Sequence, residues 1–206
     1  MTSRLAPAQM SRVVRGPWLS IAILVTASIP LWTHSIAQEP VKERAEEKGF
    51  SPFVDAKGGI SLPKDYRKSW VHLGSFVVED EDDPGEGFHD VYARPETVAH
   101  YLEKKEFPDG AVLVKEIRKI RESKMTTGDA MWAGEPKSWF VTIKDRKARF
   151  PNNSNWGEGW GWALFEAEDP TKNVSTDYKA DCIGCHKPAQ PEDWVYVGGY
   201  PTLLEP

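Results

Sequence analysis

The sequence is poor in several things that common functions need. It has only two cysteines, so no second pair exists to complete a structural zinc site. Positive charge is outweighed, with 26 Lys and Arg against 31 Asp and Glu. That balance argues against a nucleic-acid partner, because binding phosphates takes clustered Lys and Arg, and suits a basic partner better. The long 3.6-period apolar stripes of a helical bundle are missing, and no internal repeat or low-complexity segment stands out. Beyond His186 there is no methionine, no histidine and a single lysine, Lys187. What the chain has in quantity is aromatic rings, nine Trp and eight Phe in 206 residues. A large flat apolar cofactor needs walls of that kind, although aromatics also fill ordinary cores.

The length fits one globular domain with flanking segments. Residues 1–37 read as a secretory signal: Arg4, Arg12 and Arg15 precede the apolar run Trp18 to Trp32, and Ser35-Ile36-Ala37 offers a cleavage site before Gln38. An uncleaved membrane anchor is the alternative, but Ser20, Thr26, Ser28 and Pro30 interrupt a run already short for a span. Cleavage after Ala37 removes three arginines and no acid, so the formal charge moves from −5 to −8 and the mature protein is expected in the periplasm. Residues 38–61, opening with the charged run PVKERAEEKG, read as a polar tether ahead of a domain over 62–206.

An exported protein with two cysteines is ordinarily read as carrying one disulfide. Here the cysteines lie three apart and a histidine follows at once: Cys182-Ile183-Gly184-Cys185-His186. This C-x-x-C-H pattern is the attachment signal for a c-type haem. Two thiols one helical turn apart can each add to a vinyl group on the same side of the macrocycle, and the next residue sets an imidazole under the iron. A thiol redox pair or half a zinc site are the competing readings; neither needs the histidine. Of the methionines that survive cleavage, Met125 and Met131 fall in a polar stretch that reads as loop. The expectation is a single haem on five-coordinate iron, with His186 as the protein ligand and an open position for a small molecule.

Secondary-structure signals give more strand than helix. Trp70 to Glu79 alternates, with Trp70, His72, Phe76 and Val78 on one face and Val71, Leu73 and Val77 on the other. Further strands are expected at Phe88 to Ala93, Ala111 to about Ile120, Trp139 to Lys144 and Trp156 to Glu166, with a helix starting at Pro95. The helix carrying the haem motif is expected to start near Ser175 and to be limited by Pro188.

The segment Glu106-Phe107-Pro108-Asp109-Gly110-Ala111-Val112-Leu113-Val114-Lys115-Glu116, the pairs Val91-Tyr92, Pro95-Glu96 and Lys144-Asp145, and C-x-x-C-H followed by Tyr200-Pro201 resemble the cytochrome P-460 family from about Leu62 onward. The resemblance implies an α+β, mainly β fold, an antiparallel sheet packed on a C-terminal haem-bearing helix, and usually a homodimer. Some members oxidise hydroxylamine with a lysine linked covalently to the haem ring. Their relatives, cytochromes c′-beta, lack that link and bind nitric oxide or other small gases. The implied partners are a small nitrogen-containing molecule and, for an oxidase, a periplasmic electron-transfer protein.

The lysine matched by this comparison is Lys115. It interrupts Val112, Leu113, Val114 and Ile117, and alternation places it on the face of Leu113 and Ile117. An edge-strand lysine reaching solvent is the plain alternative; burial beside a haem would instead lower its pKa and expose a nucleophilic amine. The family's distal glutamate aligns with Phe140, which cannot take a proton. Glu158 and Glu135 are substitute bases from Gly-containing stretches that read as solvated loop, His89 and His72 are distal-pocket candidates from their strands, and His100 is expected to face solvent.

Overall fold

The computed structural model describes residues 50–204; the expected signal, its cleavage site and the charged run up to residue 49 lie outside the described residues. Seven strands form one antiparallel sheet: β1 (Val71–Val78), β2 (Gly87–Ala93), β3 (Val112–Met125), β4 (Gly128–Lys144), β5 (Trp156–Gly157), β6 (Trp160–Glu166) and β7 (Asp169–Asn173). Their order is β1-β2-β3-β4-β6-β5, with β7 also paired to β6. Helix α1 (Tyr66–Ser69) leads into β1, and α2 (Pro95–Lys104) joins β2 to β3, opening on Pro95 as expected. The fold is α+β and mainly antiparallel β.

Strand alternation gives the sheet two apolar faces. On the front, Leu73, Val91, Leu113, Trp160 and Trp162 share a cluster with Phe107 of the turn before β3 and with Trp194, Val195, Tyr200 and Leu203 near the C-terminus. On the back, Tyr92, Val112, Val114, Val141, Ile143 and Phe165 share a second cluster with Ile60, Tyr66 and Trp156. Phe50, Phe53 and Val54 also join the back cluster. Residues 50–61, the second half of the stretch expected as a tether, therefore lie against the sheet, and Val54 and Ile60 form a bridge there. The back face also carries a charge network, in which partly exposed arginines reach a buried carboxylate. Glu116 is 1% exposed and is held by Arg67 and by Arg118 at 2.5 Å.

Two strand expectations change. Val71 pairs with Ala93 and His72 with Tyr92, but Gly74 pairs with Val91, so a bulge at Leu73 inserts one residue into β1. A single extra residue inverts the alternation beyond it. Phe76 thus stands opposite His89 on the front face, whereas His72 stands opposite Tyr92 on the back. The second change is at β3 and β4, which run on past Ile120 into a long hairpin arm paired through Met125↔Gly128. Met125 and Met131, expected in a loop, lie on this arm and are exposed.

The haem-motif helix is shorter and later than expected. Asp177, not Ser175, is the N-cap, its carboxylate accepting from the Lys179 N–H at 2.8 Å. Helix α3 (Tyr178–Asp181) then breaks at Cys182, whose φ of −128° and ψ of −46° separate it from α4 (Ile183–His186). Three 3₁₀ turns follow, Lys187–Glu192, Val197–Gly199 and Pro201–Leu203. Pro188 and Pro191, which cannot donate to an α-helical ladder, fall in the first of them. The last turn docks on β1, where Thr202 Oγ1 donates to the His72 carbonyl at 2.9 Å. Gly74 makes room for that contact: a Cβ there would stand 2.9 Å from Pro201 and 3.0 Å from the Gly199 carbonyl.

Candidate functional site

A cavity of about 430 Å³ lies between the front face of the sheet and the C-terminal segment. The sheet contributes Phe76, His89, Lys115, Phe140, Trp160 and Trp162; Cys185, His186, Trp194, Val195, Tyr196 and Tyr200 close the other side. Its volume falls within the range of small-molecule and cofactor pockets, about 300–1,000 Å³, and its walls are mostly aromatic.

His186 projects from α4 into this cavity, and its ring is fixed on two sides. Nδ1 is 2.8 Å from the Trp194 carbonyl, and the ring meets Trp162 edge-on at 4.8 Å between centroids. A carbonyl only accepts, so Nδ1 carries the hydrogen and Nε2 is left with a lone pair, the arrangement found in metal-ligating histidines. Burial, partly opposed by the Trp194 hydrogen bond, lowers the pKa of His186 and favours the neutral ring. The carbonyl that does this is presented by a strained turn: Asp193 and Trp194 have φ of 58° and 66°, each costing on the order of 1 kcal/mol for residues with a side chain. Lys144 and Trp160 pin the turn, Lys144 Nζ to the Asp193 carboxylate at 2.6 Å and Trp160 Nε1 to the Asp193 carbonyl at 2.9 Å. Nothing in the sequence pointed to Asp193 or Trp194, because the group in use is a backbone oxygen.

The two cysteines form no disulfide with each other; Cys182 is buried and Cys185 exposed. Burial pushes the Cys182 thiol up to about 11. Burial thus disfavours a thiolate at Cys182.

Lys115 stands in the middle of the sheet, paired with Val91 on one side and Phe140 on the other. It is not an edge lysine. Its side chain faces the cavity with Nζ 4.4 Å from the centroid of the Phe140 ring, and burial lowers its pKa while the two cysteines act in the opposite direction. The next residue, Glu116, points to the back face, so adjacent Lys115 and Glu116 serve opposite sides of one strand.

His89 joins the cavity, stacked on Phe76 with centroids 4.4 Å apart. The other candidates do not. The bulge at Leu73 turns His72 to the back, where it is bonded to Ser75 at 2.9 Å beside Asp90. Glu158 is exposed in the turn between β5 and β6, with φ of 55°. Glu135 lies on β4 rather than in a loop, exposed and ion-paired with Arg121 at 2.6 Å. His100 is half-buried rather than facing solvent, its Nε2 enclosed without a partner and away from the cavity. Neither methionine lines the cavity.

The pieces converge on a flat ring system with a metal at its centre: an aromatic slot, one neutral imidazole with a free nitrogen, and two thiols a helical turn apart. They define a mainly β haem protein. In keeping with this, the family model for Cytochrome P460 matches residues 63–197, more than half of the chain. The chain belongs to the cytochrome P460 family, which implies a haem cofactor. A search of curated proteins finds no match.

Proposed function

We propose that this chain is an exported, periplasmic mono-haem c-type cytochrome that holds its haem through thioethers to Cys182 and Cys185, with His186 as the only protein ligand to iron. Its task is to bind and oxidise a small nitrogen compound, hydroxylamine or nitric oxide, and to pass electrons to a periplasmic electron-transfer protein. A homodimer, as the family resemblance implies, is part of the same proposal. The single observation that carries the reading is His186 Nδ1 bound to the Trp194 carbonyl at 2.8 Å inside an aromatic cavity. A histidine oriented in this way has its lone pair on the nitrogen that ligates metal. Haem, when bound, would supply the redox chemistry and the site where the small molecule binds. The chain's residues orient the ligand imidazole, exclude water with Phe76, Phe140 and the tryptophans, and place the amine of Lys115 within the cavity, where the proposed link to the haem ring would form.

A second reading has its own observation. Phe140 occupies the place facing Lys115, and no Asp or Glu is among the residues lining the cavity, which favours a gas-binding or electron-transfer protein that does not turn over substrate. Denaturing electrophoresis with haem staining tests the shared foundation. The stain is expected to follow the wild-type chain and to vanish in Cys182→Ala plus Cys185→Ala. Haem extracted from the native protein by acidic acetone would overturn the proposal. Turnover of hydroxylamine with an artificial electron acceptor then separates the oxidase from the gas binder.

A further inference from the structure

The hydrogen bond that orients His186 ends on a carbonyl whose own position is held from the sheet. Lys144 is the last residue of β4, and its backbone is fixed on both sides. Its carbonyl accepts from the Gly110 N–H at 2.8 Å, and its N–H donates to the Ala111 carbonyl at 2.9 Å. The side chain is 9% exposed; it runs over the Trp160 ring, Nζ 4.8 Å from the centroid, and reaches the Asp193 carboxylate at 2.6 Å. Gly159, at φ of 78°, leaves room for it, since a Cβ there would stand 3.2 Å from Nζ. Asp193 and Trp194 are consecutive left-handed residues. The Trp194 N–H donates to the Ala189 carbonyl at 2.9 Å, and the Trp194 carbonyl accepts from His186 Nδ1 at 2.8 Å. Stability alone is a poor account of this lysine. The Asp193 side chain is 37% exposed, and an ion pair with one partner partly in water adds little to stability, whereas burying an ammonium is costly. An apolar side chain of similar volume would cover Trp160 without that cost. It could not hold the Asp193 carboxylate, and with it two residues in a backbone region that disfavours side chains.

We propose that Lys144, acting through Asp193, is a positioning residue that sets how strongly His186 donates to the haem iron. The contacts run in series: Lys144 Nζ holds the Asp193 carboxylate, the Asp193–Trp194 turn presents the Trp194 carbonyl, and that carbonyl holds the Nδ1–H of His186. A well-aligned acceptor at Nδ1 makes the opposite ring nitrogen a better metal donor. A better donor favours the higher oxidation state of the iron, hydrogen bonding around an axial ligand being one of the levers by which a protein tunes a haem. This rests on the haem reading above and adds the residues that tune the ligand.

The experiment compares haem-loaded wild type with Lys144→Met, Asp193→Asn and the double variant. Asparagine tolerates a left-handed backbone, so Asp193→Asn keeps the fold even if Lys144→Met does not. The double variant removes one charge of each sign, so a shift in it is not an effect of net charge. The readouts are the iron–imidazole stretching band of the ferrous protein by resonance Raman and the reduction potential by spectroelectrochemistry. The band should fall in frequency by the same amount in all three variants, because residues acting in series do not add, and the potential of the double variant should rise. An unchanged band with only the urea midpoint lowered would make the pair a structural pin and overturn the proposal while leaving the haem reading intact. Additive band shifts from the two single variants would overturn it as well, since Lys144 would then not act through Asp193. A wild-type protein that carries no haem stain would overturn both readings.

Discussion

Lys115 and Phe140 face each other across the β3–β4 pair, with the lysine Nζ 4.4 Å from the centre of the phenylalanine ring. The ring's negative face offsets part of the cost of burying an ammonium, on the order of 1–2 kcal/mol, against a desolvation penalty of several kcal/mol. Desolvation wins, and the pKa of Lys115 falls. Attachment to a porphyrin carbon requires a fraction of neutral amine, together with an external two-electron oxidant, because the new C–N bond replaces an N–H and a ring C–H. If the bond forms, the holoprotein spectrum lies far to the red of an ordinary c-type haem, and Lys115→Ala restores the ordinary spectrum while the haem stain persists. Identical spectra for wild type and Lys115→Ala would show that the amine stays free.

The same pair governs proton removal. Wild-type oxidation of hydroxylamine should be weak, because the side chain opposite Lys115 has no basic atom. Phe140→Glu puts a carboxylate there, subject to opposing influences: burial raises its pKa and the lysine lowers it. A positioned general base contributes about 10²–10⁴-fold, so turnover with an artificial electron acceptor should rise at least tenfold. Fast wild-type turnover would show that proton removal takes another route.

On the back of the sheet, Glu116 anchors two guanidinium groups, Arg67 and Arg118, and lies almost wholly out of solvent. Glu116→Ala leaves two partly solvated guanidiniums without their carboxylate and should cost about 1–3 kcal/mol, read as a drop in the urea midpoint with an unchanged slope. A loss under 1 kcal/mol would mean that water reaches the site and replaces the pair.

Acid should loosen the fold through His89. Its folded-state pKa is lowered from 6.5 to about 4, chiefly by burial, with Lys115 and Lys137 adding to the effect and Asp90 opposing it. Between those values the unfolded chain binds the proton that the folded chain refuses. The contribution is thus complete above pH 6.5 and is lost as pH falls toward 4, on the order of 3 kcal/mol. Urea unfolding of wild type and His89→Phe at pH 7, 5.5 and 4 checks this. Relative to the variant, the wild type should lose stability toward acid: the two curves converge or cross if the wild type starts higher and diverge if it starts lower, and parallel curves would exclude His89 as the titrating group.

Features legible in the sequence were those encoded by neighbours in the chain. Cys182, Cys185 and His186 lie within five residues, and Val112 to Val114 form an unbroken apolar run because β3 is buried on both faces there. The face of His72 was not legible, since one bulged residue at Leu73 inverts the pattern without changing composition. The hairpin arm beyond Ile120 was missed for a different reason: Arg121, Glu122 and Lys124 meet water, so no apolar period marks the strand. Phe50, Phe53, Val54 and Ile60 fit no period either, and only the assembled sheet shows what they cover. The Trp194 carbonyl escaped notice because every residue has one, and its use depends on a left-handed turn that Lys144 holds from across the molecule.

The C-terminal segment is the second wall of the cavity, and it is made after the strands it covers. Every strand precedes it, so during synthesis the sheet's front face waits with Phe107, Trp160 and Trp162 uncovered until Trp194, Tyr200 and Leu203 arrive. The two thiols and the histidine travel on that late segment. On the proposed haem attachment, cofactor capture and completion of the core would be one assembly event, and a nascent chain stalled before residue 182 would present a sticky half-built sheet.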